Sequence, residues 1–349
     1  MKWLLYGAYG YTGKLITEEA MRQNLKPVIS GRDAEKVKVL AEKKELDYEI
    51  FNLKEENKIN NIIPEYDILF NAAGPFKHTS APLVKACLQH SVNYLDITGE
   101  ISVFEQNFAR NQKAIEKDIA IISGVGFDVV PSDCLSVYVS EKINNPIDLE
   151  LGILALSQSS PGTMKTMIES IPSAVVVRRN GKLKEKTFGK DARAIKFLDK
   201  TRELYPIGWG DVATAYRSTG IPNITAYMPI PRQFENAMTK YGFIVRNLFK
   251  VKFMRKLAKR WVEKNIEGPD KQARESGRSQ IWARVKNENG EEAEAWLSTI
   301  EAYRLTAISA IKSVKKIDNL NIKGSLTPAQ AFGEDFILEF PDTKIIDHL

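Results

Sequence analysis

At 349 residues the chain exceeds the roughly 250 to 300 residues at which a single hydrophobic core stops growing, so two domains are expected. A composition 43% hydrophobic and 27% charged excludes a disordered or fibrous chain, and two cysteines, Cys87 and Cys134, without CxxC spacing exclude a disulfide-stapled scaffold. The formal net charge of +6 is concentrated in residues 240–264, where nine Lys or Arg face Glu263 alone; the rest of the chain is slightly acidic, which argues against nucleic-acid binding. The three histidines lie far apart and near no cysteine pair, so no metal site is expected. The N-terminus enters an apolar run directly and nowhere do about 18 apolar residues run together, which points to a cytoplasmic protein, neither secreted nor membrane-spanning.

In chain order, the first 130 residues alternate short β-rich runs with helical stretches: "WLLYG" then 12–23, "PVISG" then 34–44, "YEIF" then 54–62, "DILFNAAG" then 79–91, "NYLDI" then 101–117, and "IAIISG". Such alternation predicts βαβ crossovers and an α/β, Rossmann-type doubly wound parallel sheet over residues 1–131. From about residue 146 the runs lengthen and alternate, and Asn180-Gly181 and Asn289-Gly290 each sit between two of them as type I′ hairpin signals. A second, α+β domain with an antiparallel sheet is therefore expected over 132–324, serving substrate binding or homodimer formation. Helical pattern returns at 234–264 and 301–316, and 325–349, "LTPAQAFGEDFILEF" onward, is expected to return to the first domain.

In the first strand-turn-helix, "LLYGAYGYTGKLI", Gly7, Gly10 and Gly13 recur at every third position, with Tyr9, Tyr11 and Thr12 between them. The first glycine permits the tight turn, the second lets the backbone approach a pyrophosphate, and the third lets the helix pack on its strand, so the turn predicts a dinucleotide. At the end of the second strand stand Ser30, Gly31 and Arg32, and an arginine there suits a ribose 2′-phosphate. NADP(H) is favoured over NAD. The competing reading makes Asp33 a ribose ligand, although Asp33 directly precedes a helical run, where it would ordinarily be the N-cap. After the fourth strand, "NAAGPF" places Ala72, Ala73, Gly74 and Pro75 at the carboxyl edge of the sheet, where small residues let the backbone face the cofactor.

Taken together, "GAYGYTG", "SGRD", "NAAGPF", "YLDITGE", "GFDVVPSD", "SPGTMKTMIES", "GPDKQARESGRSQIWARV" and "TPAQAFG" resemble the saccharopine dehydrogenase-like oxidoreductases, most of all the branch that includes trans-acting enoyl reductases. The resemblance runs from residue 7 to residue 333 in the family's order. It implies an NADP-binding Rossmann domain, a second α+β domain inserted before a C-terminal return, and oxidation or reduction at a C=C or C–N bond. In true saccharopine reductases an aspartate lies in a "GLDPG"-like turn near the nicotinamide. Here the turn reads "GVGFDVVPSD", with Asp128 in place but without the Pro-Gly, which fits the enoyl reductase-like branch better than an amino-acid substrate.

Three residues are candidates for catalysis. Asp128 can act as acid or base if burial raises its pKa, or it can bind backbone N–H groups in its turn. Tyr94 can donate a proton to a developing enolate, or be strand packing; by strand alternation it shares a face with Asp96 and Thr98. Glu100, at the strand tip, is placed to meet the nicotinamide ribose or the substrate. Ser159, Ser160 and Thr163 mark a helix start that either binds an anion or is simply capped.

If residues 241–262 form one helix, Ile244, Leu248, Val251, Met254, Ala258, Trp261 and Val262 gather on one side, with Phe249 and Phe253 among the basic residues. That pattern fits either a surface helix packed on its own domain or a peripheral membrane contact with anionic lipid. The leading expectation is an NADP(H)-dependent reductase of an enoyl or lipid-like substrate. The alternatives are a C–N oxidoreductase acting on a small amino acid and a non-catalytic, membrane-associated NADP-binding protein.

Overall fold

The computed structural model describes residues 1–155, 159–171, 175–186, 191–230, 244–245 and 247–349. The chain divides into two compact units, Met1–Val130 with Tyr303–Gly333, and Pro131–Ala302 with Glu334–Leu349.

The first unit opens with β1 (Trp3–Tyr6), α1 (Tyr11–Arg22), β2 (Val28–Gly31), α2 (Ala34–Lys44), β3 (Tyr48–Ile50), α3 (Glu56–Ile62), β4 (Ile68–Asn71), α4 (Phe76–His90), β5 (Asn93–Asp96), α5 (Ile101–Phe108), α6 (Asn111–Glu116) and β6 (Ala120–Ile122). The strands read as continuous apolar runs because both faces of the sheet are covered. Trp3, Leu5, Ile29, Phe70 and Leu95 enter one core, while Leu4, Tyr6, Leu69, Tyr94 and Ile121 enter the other. Cys87 is a buried free thiol in the second of these cores, and burial pushes its pKa up. The helical stretch expected at 101–117 is two helices, separated at Ala109-Arg110.

The second unit contains most of α7 (Val130–Ser140), then β7 (Pro146–Ala155), α8 (Pro161–Ser170), β8 (Val175–Arg179), β9 (Lys182–Lys186), β10 (Arg193–Lys196), β11 (Thr201–Ile207), α9 (Asp211–Thr219), β12 (Asn223–Met228), α10 (Lys252–Asn265), α11 (Lys271–Ser276), β13 (Arg278–Asn287) and β14 (Glu292–Ile300). Three elements follow in the first unit: α12 (Ala302–Asn319), all but its first residue, β15 (Gly324–Leu326) and the short α13 (Pro328–Phe332); β16 (Lys344–Ile346) closes the second.

The first sheet has seven strands in the order β15-β6-β5-β4-β1-β2-β3, with every described pairing parallel. The reversal of strand order at β1 puts the first βα turn at the switch point of a doubly wound fold. The second sheet runs β10-β11-β12-β7-β13-β14-β16, with β8 beside β12 and β9 beside β8. It is mixed rather than antiparallel throughout, because β12 lies parallel to β7. Parallel neighbours need a long crossover, which the chain between these two strands supplies.

The expected division at 324/325 is corrected at both ends. The return begins at Tyr303, where α12 brings Ala310, Ile311, Val314 and Ile317 into the first core, and Glu334–Leu349 belongs to the second unit, where β16 pairs with β14. Of the two hairpin signals, Asn180 and Gly181 both have positive φ, 50° and 72°, and link β8 to β9 as a type I′ turn. At Asn289-Gly290 only Gly290 has positive φ, 84°, and its N–H donates to the Asn287 carbonyl, the three-residue loop of a type I turn followed by a left-handed glycine. The single helix expected at 241–262 is interrupted at Val251, the extended N-cap of α10; residues 231–243 and 246 lie outside the described residues.

Candidate functional site

The first βα turn is built by backbone contacts that exclude side chains. Gly7 has φ 89°, and its N–H donates to the Ser30 carbonyl at 2.8 Å, tying the turn to β2. A Cβ on Gly7 would stand 2.8 Å from the Ala73 nitrogen, and one on Gly13 would stand 2.8 Å from the Ala8 Cα and closer still to the Gly7 carbonyl oxygen. Gly10 is the N-cap of α1. No side chain caps that terminus and no acidic residue occupies its first turn, leaving the positive end of the helix dipole to an anion. Thr12 is the second residue of this helix, and Tyr11 packs edge-on against Tyr303 with ring centroids 5.0 Å apart.

At the end of β2, Tyr9 lies directly on Gly31, where a Cβ would collide with its ring. Lys36 Nζ stands 5.9 Å from the centroid of the same ring. Asp33 caps α2: its carboxylate accepts from the Lys36 N–H at 3.2 Å and pairs with Lys36 Nζ at 3.2 Å, contacts that hold its pKa below the usual carboxylate range. Arg32 is exposed beside it, and Tyr6 is pushed up to about 12 by burial and by Tyr9, with Arg32 pulling the other way. The Ser30 hydroxyl is fully buried with no hydrogen-bond partner among the described residues, and its carbonyl accepts from the Gly7 N–H.

The loop after β4 is pinned rather than loose. Asn71 Oδ1 accepts from the Ala73 N–H at 3.0 Å, Thr79 donates to the Ala73 carbonyl at 2.7 Å, and the Gly74-Pro75 peptide is cis. Ala72, Ala73 and Pro75 are half-buried and Gly74 is exposed, so this backbone faces the carboxyl edge beside Gly7.

Two of the three catalytic expectations change. Tyr94 is fully buried, its hydroxyl donating to Asp96 Oδ2 at 2.9 Å and accepting from Asn71 Nδ2 at 3.1 Å. Burial, then the neighbouring Asp96 charge, drive its pKa well up, and its proton is committed to Asp96. Glu100 accepts from the Phe76 and Lys77 N–H groups at 2.7 and 3.0 Å and so caps α4; its carboxylate is engaged by a helix N-terminus rather than by the cofactor edge. Asp128 is half-buried in the turn after β6, a Cβ on Gly99 would lie 3.0 Å from its Oδ2, and burial pushes its pKa up to about 6. The turn itself is held by the Phe127 N–H donating to Thr306 Oγ1 of α12 at 3.0 Å.

Asp96 is the organising residue that the sequence reading passed over. Oδ1 accepts from the N–H groups of Thr98 and Gly124, both at 3.0 Å, and Oδ2 from the Tyr94 and Ser123 hydroxyls at 2.9 and 3.1 Å. One fully buried carboxylate thus joins the ends of β5 and β6, and burial raises its pKa to about 6 against the pull of those donors. The alternation that puts Tyr94, Asp96 and Thr98 on one face was the available signal, since an acid on a covered strand needs partners. Nothing near Tyr303 or Thr306 in the sequence announced their part.

In the second unit, Ser160 caps α8 by accepting from the Thr163 N–H at 3.2 Å, the ordinary role weighed for it. A cavity of about 180 Å³ lies there between β7, β12 and β13, but Arg284 and Arg193 neutralise the Glu150 on its wall.

Residues 3–122 match the family model of the saccharopine dehydrogenase NADP binding domain. Over 179 residues the chain is 26% identical to the saccharopine dehydrogenase-like oxidoreductase of Bos taurus, covering 46% of this chain and 42% of that protein. Over 192 residues it is 27% identical to the trans-acting enoyl reductase of Mycobacterium bovis, covering 49% and 44%. The chain therefore spans less than half the length of either relative. The solved structure of the L-Glu-forming saccharopine dehydrogenase from Saccharomyces cerevisiae has the same fold, with a TM-score of 0.63 at 8% identity and 99% of both chains covered.

Proposed function

We propose that the chain, whose residues 3–122 match the model of the saccharopine dehydrogenase NADP binding domain, is an NADP(H)-dependent oxidoreductase that reduces an enoyl or lipid-like substrate. NADPH, when bound, supplies the hydride. The glycine cradle fits it: the backbone of Gly7–Gly13 and the α1 N-terminus would hold the pyrophosphate, Arg32 the 2′-phosphate, and the Ala72–Pro75 backbone would line the nicotinamide side. Asp33 is engaged by Lys36 and the α2 N-terminus, which offsets the charge it would otherwise set against that phosphate.

The observation that carries the reading is Asp128, a half-buried carboxyl raised to about 6 at the carboxyl edge of the sheet. Such a group holds a proton through the mildly acidic range and can deliver it to the substrate as the hydride arrives. The enoyl part of the reading is supported by the likeness to the mycobacterial trans-acting enoyl reductase and by the turn around Asp128, which lacks a Pro-Gly.

The test is NADPH oxidation by the purified chain with enoyl thioesters and, separately, with keto acids plus amines, comparing wild type with Asp128→Asn. Turnover on enoyl thioesters that the substitution abolishes is the expected result. Turnover on keto acids and amines alone would transfer the protein to C–N chemistry, and turnover on neither would remove the reductase reading.

A further inference from the structure

Helix α10 carries two apolar stripes, and only one of them is covered. On the packed side, Met254, Ala258 and Val262 turn inward, Val262 being 2% exposed, and Arg255 and Lys259 both pair with Glu169 of α8, Arg255 Nε at 3.7 Å. Glu263 is engaged by Lys165 of the same helix α8 at 2.5 Å. The helix is thus anchored to its own unit by the ordinary device of an amphipathic face with ion pairs at its margins.

The opposite side breaks that rule. Phe253, Leu257 and Trp261, spaced four apart and so aligned along the helix, are 69%, 52% and 59% exposed. Ile244, Leu248 and Val251, just before α10, are 62%, 46% and 52% exposed. Beside the aligned three run Lys256, Arg260 and Lys264, each three residues further on, with Lys252 at the start of the helix. All four cations are exposed, and none has a hydrogen-bond or ion-pair partner among the described residues.

We propose that this face of α10 docks on an anionic lipid surface, with Phe253, Leu257 and Trp261 entering the headgroup boundary and Lys252, Lys256, Arg260 and Lys264 meeting the lipid phosphates and carboxylates. Aromatic rings sit favourably at that depth, and long basic side chains can lay their stems along the apolar layer while the charge stays in water. The alternation of apolar and cationic rows across one exposed helix face matches a layer that offers both chemistries over a flat area. A helix of 14 residues, about 21 Å long, presents all seven side chains to such a plane at once. The assignment is independent of which reaction the protein catalyses.

The experiment is co-sedimentation of the full chain with vesicles of phosphatidylcholine alone and of phosphatidylcholine containing about one-third phosphatidylserine. Two variants accompany it, Phe253→Ser/Leu257→Gln/Trp261→Ser and Lys256→Gln/Arg260→Gln/Lys264→Gln. All six positions are on the exposed side, and an unchanged circular-dichroism spectrum and urea-unfolding curve verify that each variant is folded. Wild type should bind the anionic vesicles at least tenfold more tightly than the neutral ones, and less so in high salt. Each variant should lose at least tenfold. Absent binding to anionic vesicles, equal binding to neutral ones, or binding that survives both variants would overturn the proposal. So would self-association or capture by an acidic polypeptide that the same substitutions abolish while vesicle binding is absent, since the face would then belong to a protein partner.

Discussion

Asp96→Asn separates what the buried carboxylate does as a hydrogen-bond acceptor from what it does as an acid. Asp96 Oδ1 receives two backbone N–H groups and Oδ2 two hydroxyls. An amide keeps its oxygen for the backbone donors and turns its NH2 toward Tyr94 and Ser123, whose hydroxyls accept as well as donate. Where the Asp96 carboxyl is protonated in both the folded and the unfolded chain, the substitution therefore costs only the reversal of two bonds, about 1 kcal/mol each. The proton is a larger matter. Burial raises the carboxyl from 3.8 to about 6, so the fold holds that proton more tightly than the unfolded chain by about 3 kcal/mol. This stabilisation is complete below 3.8, declines as pH rises toward about 6, and is gone above it. Asparagine has no such proton, so wild type should lose about 3 kcal/mol relative to the variant between about pH 4 and pH 7, and the two stability curves should cross or meet in that window. Urea unfolding followed by circular dichroism measures it, the first unit's transition being the one that NADPH shifts. Asp96→Ala is the control: it orphans the Thr98 and Gly124 N–H groups, at a cost relative to Asp96→Asn of about 2 to 6 kcal/mol whatever the pH. Parallel wild-type and Asp96→Asn curves across the window would refute the buried-acid reasoning.

Four further outcomes are expected. Arg32→Ala should abolish a preference for NADPH over NADH of tenfold or more, about 1.4 kcal/mol, in a tryptophan-fluorescence titration; a preference that persists would move the phosphate contact elsewhere, Lys36 first. Gly13→Ala should weaken NADPH binding at least tenfold, because its Cβ would press on the Ala8 Cα and the Gly7 carbonyl, backbone that cannot rotate away; unchanged affinity would mean that the α1 terminus does not hold the pyrophosphate. Wild-type turnover should fall as pH rises through about 6, since Asp128 must carry its proton, and Asp128→Asn should lower kcat/KM roughly 10²- to 10⁴-fold and flatten that limb. Tyr94→Phe should cost about 1 kcal/mol of stability through the lost donor to Asp96 and leave turnover intact; a large fall in kcat would return the phenol to the chemistry.

The parts of this molecule that could be read from the chain are those whose cause lies within a few residues. The glycine turn is one, since Gly7, Gly10 and Gly13 act on the backbone that they belong to and on the next helix turn. Asp33 as the α2 cap and the I′ turn at Asn180-Gly181 are others. Asn289-Gly290 shows the limit of that reach, because the same dipeptide made a different turn once the register of β13 and β14 placed three residues in the loop.

By itself, then, the sequence determined the βα alternation, the cofactor turn with Arg32 at its side, and a second β-rich unit, because apolar period, turn chemistry and helix caps are local forces. Only the tertiary structure decided who the polar side chains would meet. Glu100 reads as a cleft carboxylate until α4 presents its N-terminus, and Tyr94 reads as a proton donor until β6 brings Ser123 and Gly124 to complete the shell around Asp96. The same holds for α12 and β15, which join the first unit, and for β12, which lies parallel to β7. A strand or a buried acid is satisfied by whichever partner the topology delivers, and that partner is distant in the chain.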